Sequence, residues 1–270
     1  MRLMVAALAL SISASAFARA PKYGVLAIRY ATLPQFPVSS LVKGADPERK
    51  LDIAMMVWLV RGGGRNILVD SGFYREELIN QWKPVDYVRP DEAVARAGVA
   101  AKDITDVIIT HAHWDHAGGA ALFPNAQIWI QKDEYDYYLT RTGRDGVTAE
   151  DMDYLRRANE ARRLHLVGGD NREILPGIRV YTGGLHTYAS QYVSVTATPG
   201  MVVLASDNVY LYENIERHVP IAQTFDAQLN LAAQDRMKSI VRDVRLIIPG
   251  HDPAVLQRFT RVADGVVRIE

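Results

Sequence analysis

Cysteine is missing altogether from the 270 residues. Its absence excludes a disulfide framework, thiolate metal ligands and a cysteine nucleophile. An excess of one charge is missing too: 31 basic residues balance 31 acidic ones, so no net field draws the chain to nucleic acid or to an anionic membrane. There is no basic tract and no RNA-binding signature, which counts against nuclease chemistry and for a small-molecule substrate. No apolar run is long enough to cross a bilayer, and Leu3 to Leu10 falls well short of the ~20 residues a span needs. Internal repeats, low-complexity tracts and linkers are likewise absent.

What stands at the N-terminus instead has the layout of a secretory signal. Arg2 supplies the charged start, Leu3 to Leu10 the apolar stretch, and small residues follow from Ser13 to Ala20. Three small-x-small sites compete for cleavage: Ala14-Ser15-Ala16, Ala16-Phe17-Ala18 and Ala18-Arg19-Ala20. The expectation is a signal peptide over 1–20, a single hydrolase domain over 21–270, and export to the periplasm or the medium. With 49% hydrophobic residues the chain can fill one layered core.

The densest chemistry lies in His111-Ala112-His113-Trp114-Asp115-His116, directly after the β-branched run Ile104 to Thr110. That run reads as a buried strand, so the motif falls on a strand-end loop, where open α/β sheets place their sites. Neutral imidazoles and a carboxylate suit Zn²⁺ first, with Fe²⁺, Mn²⁺ and Co²⁺ also accepted, and this many ligands in six positions can serve two ions. Gly118 and Gly119 are expected to let the chain turn tightly away. Three further candidates end apolar runs: His186, Asp207 and His251. Taken singly each has an ordinary alternative, a hydrogen-bonded core histidine or a turn-capping aspartate. His165 and His218 fall outside the scheme.

The ordered set His-x-His-x-Asp-His, then His, Asp and His, resembles the metallo-β-lactamase superfamily, and within it the N-acyl-homoserine lactonase-like branch, over nearly the whole chain after the signal. The resemblance implies an α/β fold, an αββα sandwich of two mixed β-sheets with helices on the outer faces. It implies one metal held by His111, His113 and His186, a second by Asp115, His116 and His251, and Asp207 bridging both. Asp70, in Leu68-Val69-Asp70-Ser71-Gly72, matches the superfamily's early acidic residue, which orients a ligand or its loop; a plain turn residue is the alternative. The chemistry implied is lactone opening by a hydroxide shared between the two ions, with Asp115 passing the proton to the leaving alkoxide and Tyr210 hydrogen-bonding the substrate carbonyl. Tyr212 is the rival to Tyr210.

Relatives divide on the same residues. The β-lactamases nearest the hexapeptide lack the bridging aspartate. Glyoxalase II carries a C-terminal extension for which Asp252 to Glu270 leave no room. Exported phosphotriesterases of the methyl parathion hydrolase type share the ligands and remain the runner-up. A non-catalytic binding domain is disfavoured by the complete ligand set. The chain departs from the lactonase branch after His186, where Thr187-Tyr188-Ala189-Ser190-Gln191 replaces the proline-glycine turn of many relatives. The expected partner is a neutral lactone with an apolar acyl chain, with no nucleic acid and no membrane span; assembly is open, a homodimer included.

Periodicity places strands at Gly24 to Tyr30, Ala54 to Arg61 and Asn66 to Val69, with Gly62-Gly63-Gly64 as a hairpin turn. Further strands are expected near Gln127, Leu164, Ile178, Tyr192, Met201 and Leu246. Helices are expected at Asp91 to Ala97, Lys132 to Leu139, Ala149 to Arg162 and Leu229 to Val241. Ala31 to Lys50, with Pro34, Pro37 and Pro47, reads as a long loop over the site. Trp82, Tyr87, Trp114, Tyr135, Tyr137 and Tyr138 are the aromatics available to line an acyl pocket, with half-buried packing as their default.

Overall fold

The computed structural model describes residues 21–270; the secretory-signal reading of 1–20 lies outside them. The chain begins as an antiparallel meander of β1 (Gly24–Pro37), β2 (Lys50–Gly62) and β3 (Arg65–Val69). At the β2–β3 turn Gly63 and Gly64 take φ of 58° and 76°, the left-handed pair that a tight hairpin demands and glycine supplies without strain. After α1 (Glu76–Trp82) and α2 (Pro90–Arg96), β4 (Asp106–Ile108) joins β3 in parallel. The short α3 (Trp114–Ala117) leads to β5 (Gln127–Gln131), and α4 (Lys132–Leu139) and α5 (Ala149–Glu160) lead to β6 (Leu164–Val167), both strands again parallel.

A second sheet follows from β7 (Arg172–Leu175), β8 (Ile178–Thr182), β9 (Gln191–Ala197) and β10 (Gly200–Ser206). Beyond α6 (Tyr212–Arg217) and α7 (Ala227–Ile240), β11 (Ile247–Pro249) pairs in parallel with β10. Then α8 (Val255–Arg258) precedes a last hairpin, β12 (Thr260–Ala263) and β13 (Val266–Arg268), which returns to the first sheet. The strand orders are β12-β13-β1-β2-β3-β4-β5-β6 and β11-β10-β9-β8-β7.

Strand β2 shows why two sheets form. Its run Met55 to Val60 is buried throughout, because successive side chains point to opposite faces and both faces are covered. Met55, Val57 and Leu59 pack with Val94 of α2, Tyr138 of α4 and Leu155 of α5. Met56, Trp58 and Val60 pack with Val193 of β9, Val203 of β10 and Met237 of α7. The result is the expected sandwich of two mixed sheets with helices outside.

Three expectations need correction. Residues 31–37 are strand rather than loop: β1 continues to Pro37, with a register shift between Leu33 and Phe36 that spans Pro34 and a left-handed Gln35. A bulge of this kind is where a strand tolerates proline. The run 104–110 shortens to a three-residue strand, because the Thr110 N–H turns to the Asp70 carboxylate at 2.8 Å rather than to a neighbouring strand. Gly118 and Gly119 have ordinary φ of −64° and −92°. Their role is close approach, since a Cβ on Gly119 would sit 2.0 Å from the Ser71 carbonyl oxygen.

Candidate metal centre

The expected ligands stand at strand ends or on the segments that follow them, Asp115 and His116 within α3, and all seven converge beyond the ends of β4, β8, β10 and β11. One group comprises His111, His113, His186 and Asp207; the other comprises Asp115, His116 and His251. Within the first, His113 Nδ1 lies 3.0 Å from both His111 Nε2 and His186 Nε2. Within the second, Asp115 Oδ2 lies 3.4 Å from His116 Nε2 and 3.7 Å from His251 Nε2. Asp207 joins them, Oδ2 standing 3.3 Å from His186 Nε2 and Oδ1 standing 3.0 Å from His251 Nε2.

The backbone pays a conformational cost to aim these groups. Leu185, Ser206 and Asp70 all have positive φ, of 53°, 48° and 56°, a region that non-glycine residues occupy only when their surroundings enforce it. Leu185 and Ser206 immediately precede His186 and Asp207. Gly250 precedes His251 for a steric reason: a Cβ there would lie 2.6 Å from Asp207 Oδ1.

Four of the five imidazoles are held by one nitrogen, which leaves the other for the centre. His116 Nδ1 donates to Asp70 Oδ2 at 2.8 Å, His186 Nδ1 to the Gln223 carbonyl at 2.9 Å, and His251 Nδ1 to the Ala54 carbonyl at 3.1 Å. His111 Nδ1 lies 3.0 Å from Thr110 Oγ1, which in turn donates to Asp70 Oδ2. Asp70 therefore braces two ligands at once, and this fixes their tautomers. Its carboxylate also accepts from Ser206 Oγ.

The electrostatics of the cluster suit bound cations. His116 Nε2 and Asp207 Oδ1 are buried and make no well-aligned hydrogen bond, a costly state for polar atoms unless something else coordinates them. Burial, reinforced by the neighbouring imidazoles, holds His111 well below the ordinary histidine range; burial and His186 hold His113 down at about 3. Both therefore remain neutral, the form a metal requires. For Asp207, burial pushes the carboxyl upward, but His116 and His251 outweigh it and keep the group ionised. A tetrahedral ion with bonds of roughly 2.0–2.1 Å separates its ligand atoms by about 3.3–3.4 Å, and the spacings above bracket that value.

A cavity of about 460 Å³ opens over the centre. Leu33, Phe36, Leu41, Ile53 and Met55 make one wall, and the stacked pair Trp82 and Trp114, 4.9 Å apart, faces the same space. Of the aromatics expected there, Tyr135 and Tyr138 are core residues, Tyr87 donates to the Phe73 carbonyl, and Tyr137 stacks on Tyr188. Part of this apolar wall was missed because Leu33, Phe36 and Leu41 fall in the stretch 31–50 that reads as loop. Tyr210 lines the cavity, its hydroxyl 3.3 Å from His186 Nδ1. Tyr212 belongs to the other core, beneath the Arg258 guanidinium. His165 stacks on Trp129 and His218 pairs with Asp235, both away from the centre as expected.

Residues 56–251 match the metallo-beta-lactamase superfamily. The chain belongs to that superfamily. Among its relatives, N-acyl homoserine lactonase AiiA of Bacillus thuringiensis subsp. kurstaki is 28% identical over 230 residues, covering 79% of this chain and 87% of its own length. A crystal structure of a mutant of B. thuringiensis AiiA with N-decanoyl-L-homoserine bound at its active site superposes with a TM-score of 0.73 at 26% identity. It covers 91% of this chain and 98% of the other. An N-acyl homoserine lactone hydrolase with N-hexanoyl-L-homoserine bound at its catalytic metal centre gives 0.72 at 25% identity, with the same coverage.

Proposed function

We propose that this metallo-beta-lactamase superfamily member is a metal-dependent hydrolase that opens N-acyl-homoserine lactones or closely similar lactones. It would use two divalent ions, zinc by preference, with His111, His113 and His186 holding one, Asp115, His116 and His251 the other, and Asp207 both. The observation that carries the substrate reading is the make-up of the cavity. Its wall is apolar, His113, Asp115, His186, Asp207 and His251 of the ligand cluster face it, and among the described residues no lysine or arginine lines it. An apolar acyl chain gains roughly 0.8 kcal/mol for each methylene it buries there. A cephalosporin, by contrast, would bring a carboxylate past Asp145 with no side-chain cation to anchor it. The lactonases named above support the same assignment.

When bound, the ions lower the pKa of water and polarise an ester carbonyl. The chain's own groups do the rest. Burial, together with Asp207 and Asp115, keeps the Tyr210 hydroxyl protonated, so it donates a hydrogen bond to the carbonyl oxygen as negative charge gathers there. Asp115 is the proton carrier. Burial would raise its carboxyl, but His116 and His251 lower it, so it is ionised and able to accept. It takes one proton of the attacking water as the new carbon–oxygen bond forms and returns it to the ring oxygen as the old bond breaks, while water's second proton is released to solvent. The product is a carboxylate with a free hydroxyl. The aliphatic wall keeps other water out.

A panel of short- and long-chain acyl-homoserine lactones, an aliphatic lactone, a paraoxon-type triester and a cephalosporin tests the assignment. Fastest turnover on the acyl lactones supports it; preference for the triester keeps the centre and overturns the substrate. The reading also includes export, which N-terminal sequencing of protein from the periplasmic fraction checks.

A further inference from the structure

Glu134 lies in α4, in the sequence Lys-Asp-Glu-Tyr. In the fold it is fully buried and makes no ion pair among the described residues. Its carboxylate is instead spent on two loops. Oε1 accepts the Ala112 N–H at 2.9 Å and the Thr187 hydroxyl at 2.7 Å; Oε2 accepts the Ala189 N–H at 2.7 Å. Ala112 sits between His111 and His113, and Thr187 and Ala189 follow His186. One carboxylate thus clamps together the two loops that carry the three imidazoles of the first group. The second group receives no contact from it.

We infer that Glu134 is a positioning residue for the first metal site alone, fixing the separation of the His111–His113 loop from the His186 loop. The inference rests on the metal reading of those histidines. Burying a carboxylate without a counter-charge is unfavourable, and burial does push this group above the usual carboxylate range against its three hydrogen bonds. A helix that only needed packing would place a leucine here. The clamp also accounts for the unusual segment after His186: a threonine hydroxyl and a free backbone N–H are what Glu134 grips, and a proline would remove such a donor.

The test is release of Zn²⁺ from the zinc-loaded chain into a chromophoric chelator, with melting temperature measured alongside. The variants are Glu134→Ala and Glu134→Gln, with Asp151→Asn, which breaks a remote pair with Arg75, as the control for general destabilisation. In Glu134→Ala one ion should be held about 10- to 100-fold more weakly while the other is unchanged. Glu134→Gln should fall between, because its amide oxygen still serves Ala112 and Thr187 while its NH₂ opposes the Ala189 N–H; it decides the matter if the alanine variant does not fold. The inference is overturned if both variants keep both affinities within about threefold of the parent, or if both ions weaken together as in Asp151→Asn. A parent chain that binds no ion overturns the metal reading itself, and this inference with it.

Discussion

Asp70 Oδ2 stands 2.8 Å from Nδ1 of His116, and that hydrogen bond leaves His116 Nε2 as the free atom facing Asp207. Replacing Asp70 with asparagine keeps the shape and tolerates the left-handed backbone but removes one of the carboxylate oxygens on which His116, Thr110 and Ser206 converge. Metal affinity in Asp70→Asn should fall about 10- to 100-fold, read by chelator competition. Unchanged affinity would mean that His116 needs no brace.

Tyr210 and Tyr212 differ in where their hydroxyls go. Tyr210→Phe removes the donor in the cavity and should lower kcat about 10- to 100-fold, somewhat less than loss of a sole oxyanion donor because the metal shares the charge, with metal content intact. The Tyr212 hydroxyl is buried without a partner among the described residues, so Tyr212→Phe should leave kcat within about twofold. Steady-state kinetics on one acyl lactone distinguishes the two, and the reverse ranking would move the catalytic donor to Tyr212.

Gly250→Ala puts a methyl 2.6 Å from Asp207 Oδ1, with no flexible atom able to give way except the Asp207 carboxylate. The expected outcome is a folded chain that binds fewer ions and loses activity, seen by elemental analysis beside a circular-dichroism melt. Full metal content would show that the β11 end relaxes instead.

Stability of the metal-free protein should depend on pH in two directions. His111 and His113 are held below 6.5, His113 at about 3. Below 6.5 the unfolded chain takes up protons that these rings refuse, so stability falls with falling pH. For His116 and His251, burial lowers the pKa, but Asp207 and Asp115 outweigh it and raise both. Their contribution is present below 6.5 and is lost as pH rises through the elevated folded values. Melting temperatures of stripped protein should therefore peak near 6.5, and a steady rise from pH 5 to 8 would contradict the assignment.

The clustering of the candidate ligands was legible because chemistry and position coincide in the chain: imidazoles and carboxylates follow β-branched runs, as at His111 and Asp207. Helices with clean 3.6-residue spacing were legible too, so α4 was expected at its observed bounds and α7 within two residues. What escaped was tertiary. The prolines at 34 and 37 read as loop, while a bulge keeps that segment in the sheet and turns Leu33 and Phe36 into cavity wall. Glu134 and Asn208 carry no motif or spacing that marks a role near the centre. Only the fold shows Glu134 gripping two ligand loops, or Asn208 Oδ1 accepting the Gly184 N–H at 3.0 Å beside His186. The C-terminal hairpin, with its exposed β12, carries too little apolar alternation to be read as strand.

The most direct test of the central claim, that one carboxylate joins two ion sites in a lactone hydrolase, is Asp207→Ala, with bound metal counted and acyl-lactone turnover measured in the same sample. The account predicts two ions and turnover in the parent, and fewer than two ions and no turnover in the variant. A variant that kept two ions and the parent's rate would contradict it.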